Sequence, residues 1–348
     1  MLPGAALYRA IDVLHRAQGR GLASLGWGPD EQPYRVVAED RRWRLRRYAA
    51  PGPPPVVLIV PAPIKRPYIW DLCPAVSVVR LLLDHGLAVH LLDWRPPDPR
   101  DAGDDLAAYA DTALGAAVDA LERDAGPTKP VVLGHSLGGT LAAIFAARRP
   151  DRLAGLGLLS APLCLPAGVS RLRDALAALP AVPTAADDVV PGALLAQASA
   201  LASPATFVTA RWSDAAAGLL DPRALEVHAR IARWILDEQA LPAALVRDVL
   251  ERLYREDRLC RGTLAIHGRR VGPGDVRAPV LAVANARDQV APPAAMAPFL
   301  AATAGADARL LPYAGETGVV LQHLGVLVGR EAFAGLWPEI ADWIGAHG

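Results

Sequence analysis

A short turn bounded by glycines constrains this chain more than any other stretch. The apolar residues 131–133 are followed by Gly-His-Ser-Leu-Gly at 134–138 and then by helix-forming residues up to Ala147. A tight strand-to-helix turn leaves no room for side chains around the serine, which explains the flanking glycines. Such a turn holds the serine oxygen clear of the sheet, and the first N–H groups of the helix point at a reacting carbonyl. Ser136 is therefore the candidate nucleophile.

Apolar runs typical of strands alternate with helical stretches along most of the chain. Val56–Val60 is a continuous apolar run, as expected of a strand buried on both faces of a parallel sheet. Helices are expected over about 77–85 and 106–124, and through Trp343 at the end. The other expected strands are 33–39, 42–48, 88–92, 153–160, 263–266, 279–284 and 308–311. This alternation predicts an α/β fold with a doubly wound, mostly parallel sheet.

The alternation stops between about residues 161 and 258, where helical segments punctuated by proline replace it. We expect 161–258 to be an inserted, mainly helical cap, with 1–160 and 259–348 forming the two parts of one core. The charge-free run 189–210 is long enough to span a bilayer, but proline, glycine and polar residues interrupt it. It is therefore expected to be a cap segment or hydrophobic flap, and no transmembrane segment is expected.

The charge balance argues against nucleic acid as a partner. The chain has 36 Lys and Arg residues against 36 Asp and Glu residues, so its net charge is zero and no basic footprint is present. A local basic cluster at 41–47 is interleaved with Trp43, Leu45 and Tyr48. This interleaving favours the solvated face of a hairpin over a phosphate site.

The cysteines and the first residues bear on location. Cys73, Cys164 and Cys260 are far apart, form no C-x-x-C pair and leave one residue over in any pairing scheme. They favour reduced thiols and a cytoplasmic protein. Charged residues within 1–20 indicate an amphipathic helix rather than a secretory signal.

A serine hydroxyl needs a base to take its proton and a carboxylate to orient that base. In this architecture the acid and then the base follow the serine along the chain. Asp288 lies in the turn after the expected strand 279–284, and only His323 and the penultimate His347 lie beyond it. We therefore expect Asp288 as the acid and His323 as the general base. No two histidines have metal-ligand spacing with a nearby cysteine or carboxylate, so no metal is expected. No cofactor is expected either.

Two backbone N–H groups are needed to hold an oxyanion. One is expected from Leu137, the residue after the nucleophile. The other is expected from the loop after Val56–Val60, where Pro61 and Pro63 have no N–H to give. Ala62 and Ile64 remain, and Ile64 is favoured.

The chain resembles the polyhydroxyalkanoate synthases, especially the short class that works with a partner subunit. The resemblance covers most of residues 56–345 and lies in segments 63–72, 77–80, 93–94, 253–259, 267–271, 278–288, 323–325 and 340–344. It implies an α/β-hydrolase fold, a 3-hydroxyacyl-CoA or hydroxyacyl ester substrate, and a polyester granule surface or partner subunit as further partners. It implies the acid and base roles for Asp288 and His323. A homodimer is left open.

One departure from that family matters most. The synthases have a cysteine at the position of Ser136, and an asparagine is usual at the position of Lys65. The stretch between Asp288 and His323 is also longer here. A thiolate is a strong nucleophile and a good leaving group, whereas a serine ester is more stable and is resolved most simply by water. The substitution favours a serine esterase, thioesterase or oligomer hydrolase over a synthase-type acyltransferase, and a non-catalytic granule-binding protein is the third alternative.

Overall fold

The computed structural model describes residues 5–48, 55–179, 189–202, 222–304, 307–316 and 322–348. Within them, eight strands form one sheet in the spatial order β1-β2-β4-β3-β5-β6-β7-β8. In chain order these are β1 (Tyr34–Glu39), β2 (Trp43–Tyr48), β3 (Val56–Val60), β4 (Ala88–Trp94), β5 (Val131–His135), β6 (Gly155–Leu159), β7 (Val280–Asn285) and β8 (Ala308–Tyr313). The hairpin β1–β2 is antiparallel and β2 pairs antiparallel with β4, while the other neighbours are parallel. The doubly wound, mostly parallel sheet predicted from the sequence is confirmed.

The described residues contain eleven α-helices. They are α1 (Ala5–Leu22), α2 (Val78–Asp84), α3 (Leu114–Ala125), α4 (Leu137–Arg148), α5 (Arg171–Ala178), α6 (Gly192–Ala202), α7 (Pro222–Ile235), α8 (Ala243–Asp248), α9 (Ala297–Ala301), α10 (Gly325–Val328) and α11 (Trp337–His347). A wider π-helical segment, Ala108–Ala113, leads into α3, and another, Val249–Arg255, continues α8. The 3-10 turn Gln322–Leu324 leads into α10.

Helices cover both faces of the sheet, which explains its uninterrupted apolar strands. Every residue of β3, β5 and β7 is buried. One core cluster joins a face of the sheet to α3 and α4, and a second joins the opposite face to α2 and α11. Because β3, β5 and β7 run in parallel, the loops that follow them meet at one edge of the sheet. This edge receives Ser136 and Asp288.

The stretch expected to be a cap contains α5 to α8 and the two-residue strands Val189–Val190 and Leu241–Pro242, which pair with each other. Parts of the expected cap, 180–188 and 203–221, lie outside the described residues, as do residues 203–210 of the run 189–210. The division into core and cap stays a prediction. The expected strand at 263–266 is Leu264–Ile266, which pairs with Arg269–Val271 in a separate hairpin rather than in the main sheet.

The expectation that all three cysteines are reduced is wrong. Cys164 and Cys260 form a disulfide, with their Cα atoms 4.9 Å apart although the two residues are 96 positions apart in sequence, while Cys73 is free and buried. The bond joins the segment after β6 to the segment before the Leu264–Ile266 hairpin. Spacing along the chain did not reveal it because the fold, not the sequence, brings these residues together.

The basic cluster at 41–47 is only partly a solvated face. Arg46 is buried between Asp93 and Glu31, with a 2.7 Å contact to Asp93, so the expectation is wrong for this residue. The other arginines of the cluster also meet carboxylates: Arg41 and Arg42 meet Asp104, Arg44 meets Glu39, and Arg47 meets Asp124. These ion pairs neutralise the cluster and agree with the expectation that it is not a phosphate site.

Candidate active site

Ser136 lies at the turn between β5 and α4 in a conformation that L-residues rarely adopt. Its φ is 55° and its ψ is −132°, and its side chain is half-buried. The Ser136 N–H donates to the carbonyl of Leu159 on β6 at 3.0 Å, which fixes the turn against the neighbouring strand. A strained serine held in this way, with its oxygen reachable, is what a nucleophile at such a turn requires.

The glycines of the turn are required by close backbone contacts. A Cβ on Gly134 would lie 2.5 Å from the Cα of Gly139, and a Cβ on Gly138 would lie 2.2 Å from the carbonyl oxygen of Val60. The first turn of α4 therefore packs directly against the end of β3. This contact brings the loop after β3 beside Ser136.

A continuous hydrogen-bond chain runs from Ser136 through His323 to Asp288. The Nε2 atom of His323 lies 2.9 Å from Ser136 Oγ, and its Nδ1 atom lies 2.8 Å from Asp288 Oδ2. An ionised carboxylate can only accept, so Nδ1 carries the proton and Nε2 accepts from the serine hydroxyl. The three side chains come from the ends of β5 and β7 and from the turn before α10. Their catalytic roles remain a prediction.

The carboxyl group of Asp288 is buried yet stays ionised. Burial alone would raise its pKa, but the His323 imidazole and the backbone N–H groups of Val290 and Ala291 together hold the pKa of Asp288 below its ordinary value. Its Oδ1 atom accepts from the Val290 N–H at 2.8 Å. One oxygen is thus fixed by its own loop while the other orients His323.

The position between Gly134 and Ser136 has a role that sequence reasoning missed. His135 is buried, and its Nε2 donates to the backbone carbonyl of His323 at 2.9 Å while the two rings lie 4.8 Å apart. Burial lowers the pKa of His135 to about 3, so its ring is neutral. His135 holds the main chain of the candidate base. The position of His135 next to Ser136 could have indicated a role, but the sequence does not show that its partner is the His323 carbonyl.

The two oxyanion donors are expected from Leu137 and from the loop after β3. Leu137 is the first residue of α4, so its N–H has no partner within the helix. The loop with Ala62 and Ile64 is held by the segment after α7: the backbone N–H of Gln239 donates to Ile64 O at 2.9 Å and its side chain to Lys65 O at 3.0 Å. Neither Ala62 nor Ile64 is singled out by this geometry, so the choice between them stays open.

Other polar groups around the site were not identified from the sequence. Asn285, at the end of β7, donates to the side chain of Gln322, which directly precedes His323. Burial and the nearby Asp288 carboxylate raise the pKa of Tyr254 to about 12, so its phenol stays protonated.

Among the described residues, no group of three or more His, Cys, Asp and Glu side chains could hold a metal ion. None of the described helices combines the length and the apolar composition that a membrane span needs.

Comparisons with known proteins agree on a family and a fold. The family model described as "alpha/beta hydrolase fold" matches residues 55–315. A solved alpha/beta hydrolase fold protein from Nakamurella multipartita superposes with a TM-score of 0.53 at 19% identity, covering 91% of this chain and 100% of that one. A monoacylglycerol lipase from Paleococcus ferrophilus gives 0.51 at 17% identity, covering 88% and 99%. Identities this low support the fold alone.

The similar curated proteins are polymerase subunits. A poly(3-hydroxyalkanoate) polymerase subunit of Haloferax mediterranei is 29% identical over 334 residues, which cover 94% of this chain and 66% of that protein. One from Allochromatium vinosum is 26% identical over 319 residues, covering 90% and 88%. This chain spans about two thirds of the length of the Haloferax relative and of a similar one from Haloarcula marismortui.

Proposed function

The chain belongs to the α/β-hydrolase family and is similar within it to poly(3-hydroxyalkanoate) polymerase subunits, and from this premise we propose that it forms an acyl-enzyme on Ser136. The family and the relatives indicate an enzyme, either a hydrolase or an acyltransferase. The observation that carries the proposal is the hydrogen-bond chain from Ser136 Oγ through His323 to the ionised Asp288.

In the acylation step, His323 Nε2 takes the hydroxyl proton as Ser136 Oγ attacks the carbonyl carbon of the substrate. The carbonyl oxygen becomes an oxyanion held by the Leu137 N–H and by that of Ile64 or Ala62. Asp288 stabilises the imidazolium that forms. When the oxyanion collapses, the bond to the thiolate or alkoxide breaks, and His323 returns the proton to this leaving group. The acyl group is then an ester of Ser136.

We propose hydrolysis as the fate of this ester. His323 deprotonates a water, the hydroxide attacks the ester carbonyl, and the free acid leaves as Ser136 regains its proton. The oxygen of a serine ester is a poorer leaving group than a thiolate, so it has to be protonated as the ester bond breaks. His323 carries the proton it took from water and can donate it to this oxygen, since its Nε2 lies 2.9 Å from Ser136 Oγ. Hydroxyacyl esters and thioesters are the proposed substrates, by analogy with the polymerase relatives.

Acyl transfer is the second candidate. In that reaction the hydroxyl of another hydroxyacyl group replaces water, and the same residues lengthen an ester chain by one unit. The similarity to polymerase subunits over 90% or more of this chain favours it. For this reaction we also propose a partner subunit or a polyester granule surface, and a cytoplasmic location. A granule-binding protein without activity is the remaining alternative.

Two measurements test the proposal. Mass spectrometry after treatment with a fluorophosphonate should locate an adduct on Ser136, and an unmodified Ser136 in the folded protein would exclude both catalytic candidates. Incubation with 3-hydroxybutyryl-CoA should then release free acid. If oligomer forms without free acid, transfer replaces hydrolysis as the reaction.

We predict that Ser136→Ala lowers kcat at least about 10³-fold, because no other oxygen in the chain of hydrogen bonds can form the ester. The change removes one small hydroxyl, so the melting temperature should move little. Thioester cleavage can be followed by thiol release. Near-normal turnover in this variant would mean that the reaction takes place on a different residue.

A further inference from the structure

Two buried side-chain amides connect the turn that carries Asp288 to the loop that carries His323. Asn285 is the last residue of β7, and Gln322 directly precedes His323. The Asn285 Nδ2 donates to the Gln322 Oε1 at 2.9 Å, and the two residues are 1% and 6% exposed. In water-excluded surroundings such a bond is costly to break, because both groups would lose a partner.

Each amide also forms further hydrogen bonds within its own loop. The Asn285 Oδ1 accepts from the Arg287 N–H at 2.8 Å, and its main-chain carbonyl accepts from the Asp288 N–H at 3.0 Å, so Asn285 shapes the acid turn. The Gln322 Oε1 also accepts from the Glu316 N–H at 3.0 Å, and its Nε2 donates to the Glu316 carbonyl at 2.9 Å. Turning either amide over would place a donor against a donor or an acceptor against an acceptor.

The surrounding chain leaves room for this pair and anchors it. Gly315 has a φ of 83°, and a Cβ there would lie 2.2 Å from the Gln322 Oε1 and 2.8 Å from the Asn285 Nδ2. The carboxylate of Glu316 accepts from the N–H groups of Ala332 at 3.0 Å and Glu331 at 3.1 Å. The amide pair is thereby tied to the C-terminal helices as well as to the sheet.

We propose that Asn285 and Gln322 are positioning residues that fix the Asp288 carboxylate against the His323 imidazole. The proposal rests on the function proposed for Ser136. The acid and the base lie on separate loops, 35 positions apart in sequence and joined to each other by one 2.8 Å hydrogen bond. The amide pair is a second connection between the same loops. A displacement of about 1 Å at such a site can cost about 10²-fold in rate.

Asn285→Asp and Gln322→Met test the proposal. The first keeps the Oδ1 acceptor for Arg287 but loses the donor to Gln322, and the second keeps the side-chain length but loses its hydrogen bonds. Each should lower kcat about 10- to 100-fold with KM nearly unchanged, and should slow fluorophosphonate labelling by the same factor. The downfield proton NMR resonance of the His323 Nδ1–H should shift. Because the residues act as a pair, the double variant should be no slower than the slower single variant.

Ser77→Ala is the matched control, because it removes a buried hydrogen bond to Asp71 elsewhere in the core. It should lower the melting temperature without changing kcat or the His323 resonance. Losses that add in the double variant, or a resonance that stays in place in both single variants, would overturn the positioning role. The resonance decides this even if the wild-type protein is not labelled at Ser136, an outcome that would count against the proposed function alone.

Discussion

His135 illustrates how one residue can matter through a single main-chain contact. It lies between the turn glycine and Ser136, and its ring is tilted by 42° against the His323 ring while its Nε2 donates to the His323 carbonyl. The ring is neutral because it is buried, and a protonated imidazole would have to lose its water there. The free energy of unfolding should therefore depend on pH partly through His135.

We predict that His135→Gln makes stability less sensitive to acid. The pKa of His135 falls from 6.5 to about 3 on folding, so between these values the unfolded chain binds a proton that the folded chain does not. This contribution to stability is therefore complete above pH 6.5 and is lost as pH falls, by up to about 1.4 kcal/mol per pH unit. The variant should lack that slope between pH 6 and 4 in urea unfolding.

The exposed His85 provides the matched control for this measurement. His85→Gln makes the same exchange outside the core, so it measures the change in slope that does not depend on burial of the ring. Other buried groups add their own slopes, including His90, whose pKa is also lowered by burial, so the difference between variants is the informative quantity. Equal slopes in wild type and His135→Gln would show that the His135 ring is protonated in the folded protein.

At the scale of elements, the loop after β3 is held by a segment far away in sequence. The Gln239 main chain and side chain bond to Ile64 and Lys65, and the Trp234 Nε1 donates to the Arg66 carbonyl at 2.8 Å. Lys65 also forms an ion pair with Glu238 at 3.3 Å. The loop expected to supply an oxyanion donor therefore takes its shape from the segment at the end of α7.

We predict that Gln239→Leu weakens oxyanion binding. The leucine fills the buried space but cannot donate to the Lys65 carbonyl, so the loop loses one of its fixed points. Removing an oxyanion donor costs about 10²–10³-fold in kcat, and displacing one should cost about tenfold. A boronate that mimics the tetrahedral intermediate should lose affinity by a similar factor, while KM changes less. Glu226→Gln, at an exposed position of α7, the helix that precedes Gln239, is the control.

The elements that could be predicted from the sequence are those whose residue pattern alone determines their conformation. The apolar run of β3 and the glycine turn at Ser136 each determine their own conformation, so both could be recognised without knowing their neighbours. The order of serine, acid and base along the chain then left few candidates for Asp288 and His323. The contacts of Asn285, Gln239 and Cys164 depend on partners at least 37 positions away, and no pattern in the sequence pairs them.

At the scale of the whole molecule, the disulfide joins the two ends of the stretch that is expected to be a cap. Cys164 follows β6, the last core strand before the insertion, and Cys260 precedes the hairpin that leads back to β7. Cys164 is completely buried, and its N–H donates to the Ala295 carbonyl at 2.8 Å. The bond thus lies where the expected cap would leave and re-enter the core.

We predict that reducing this bond lowers the free energy of unfolding by about 2–4 kcal/mol, because the unfolded chain regains the freedom of a long closed loop. Oxidised protein unfolded without reductant should show one alkylated thiol, that of Cys73, and reduced protein three. Cys73→Ala should leave the effect of reductant on stability intact, whereas Cys164→Ala with Cys260→Ala should abolish it. If protein isolated without reductant shows three reactive thiols, the disulfide is absent. The expectation of reduced cysteines in a cytoplasmic protein would then hold.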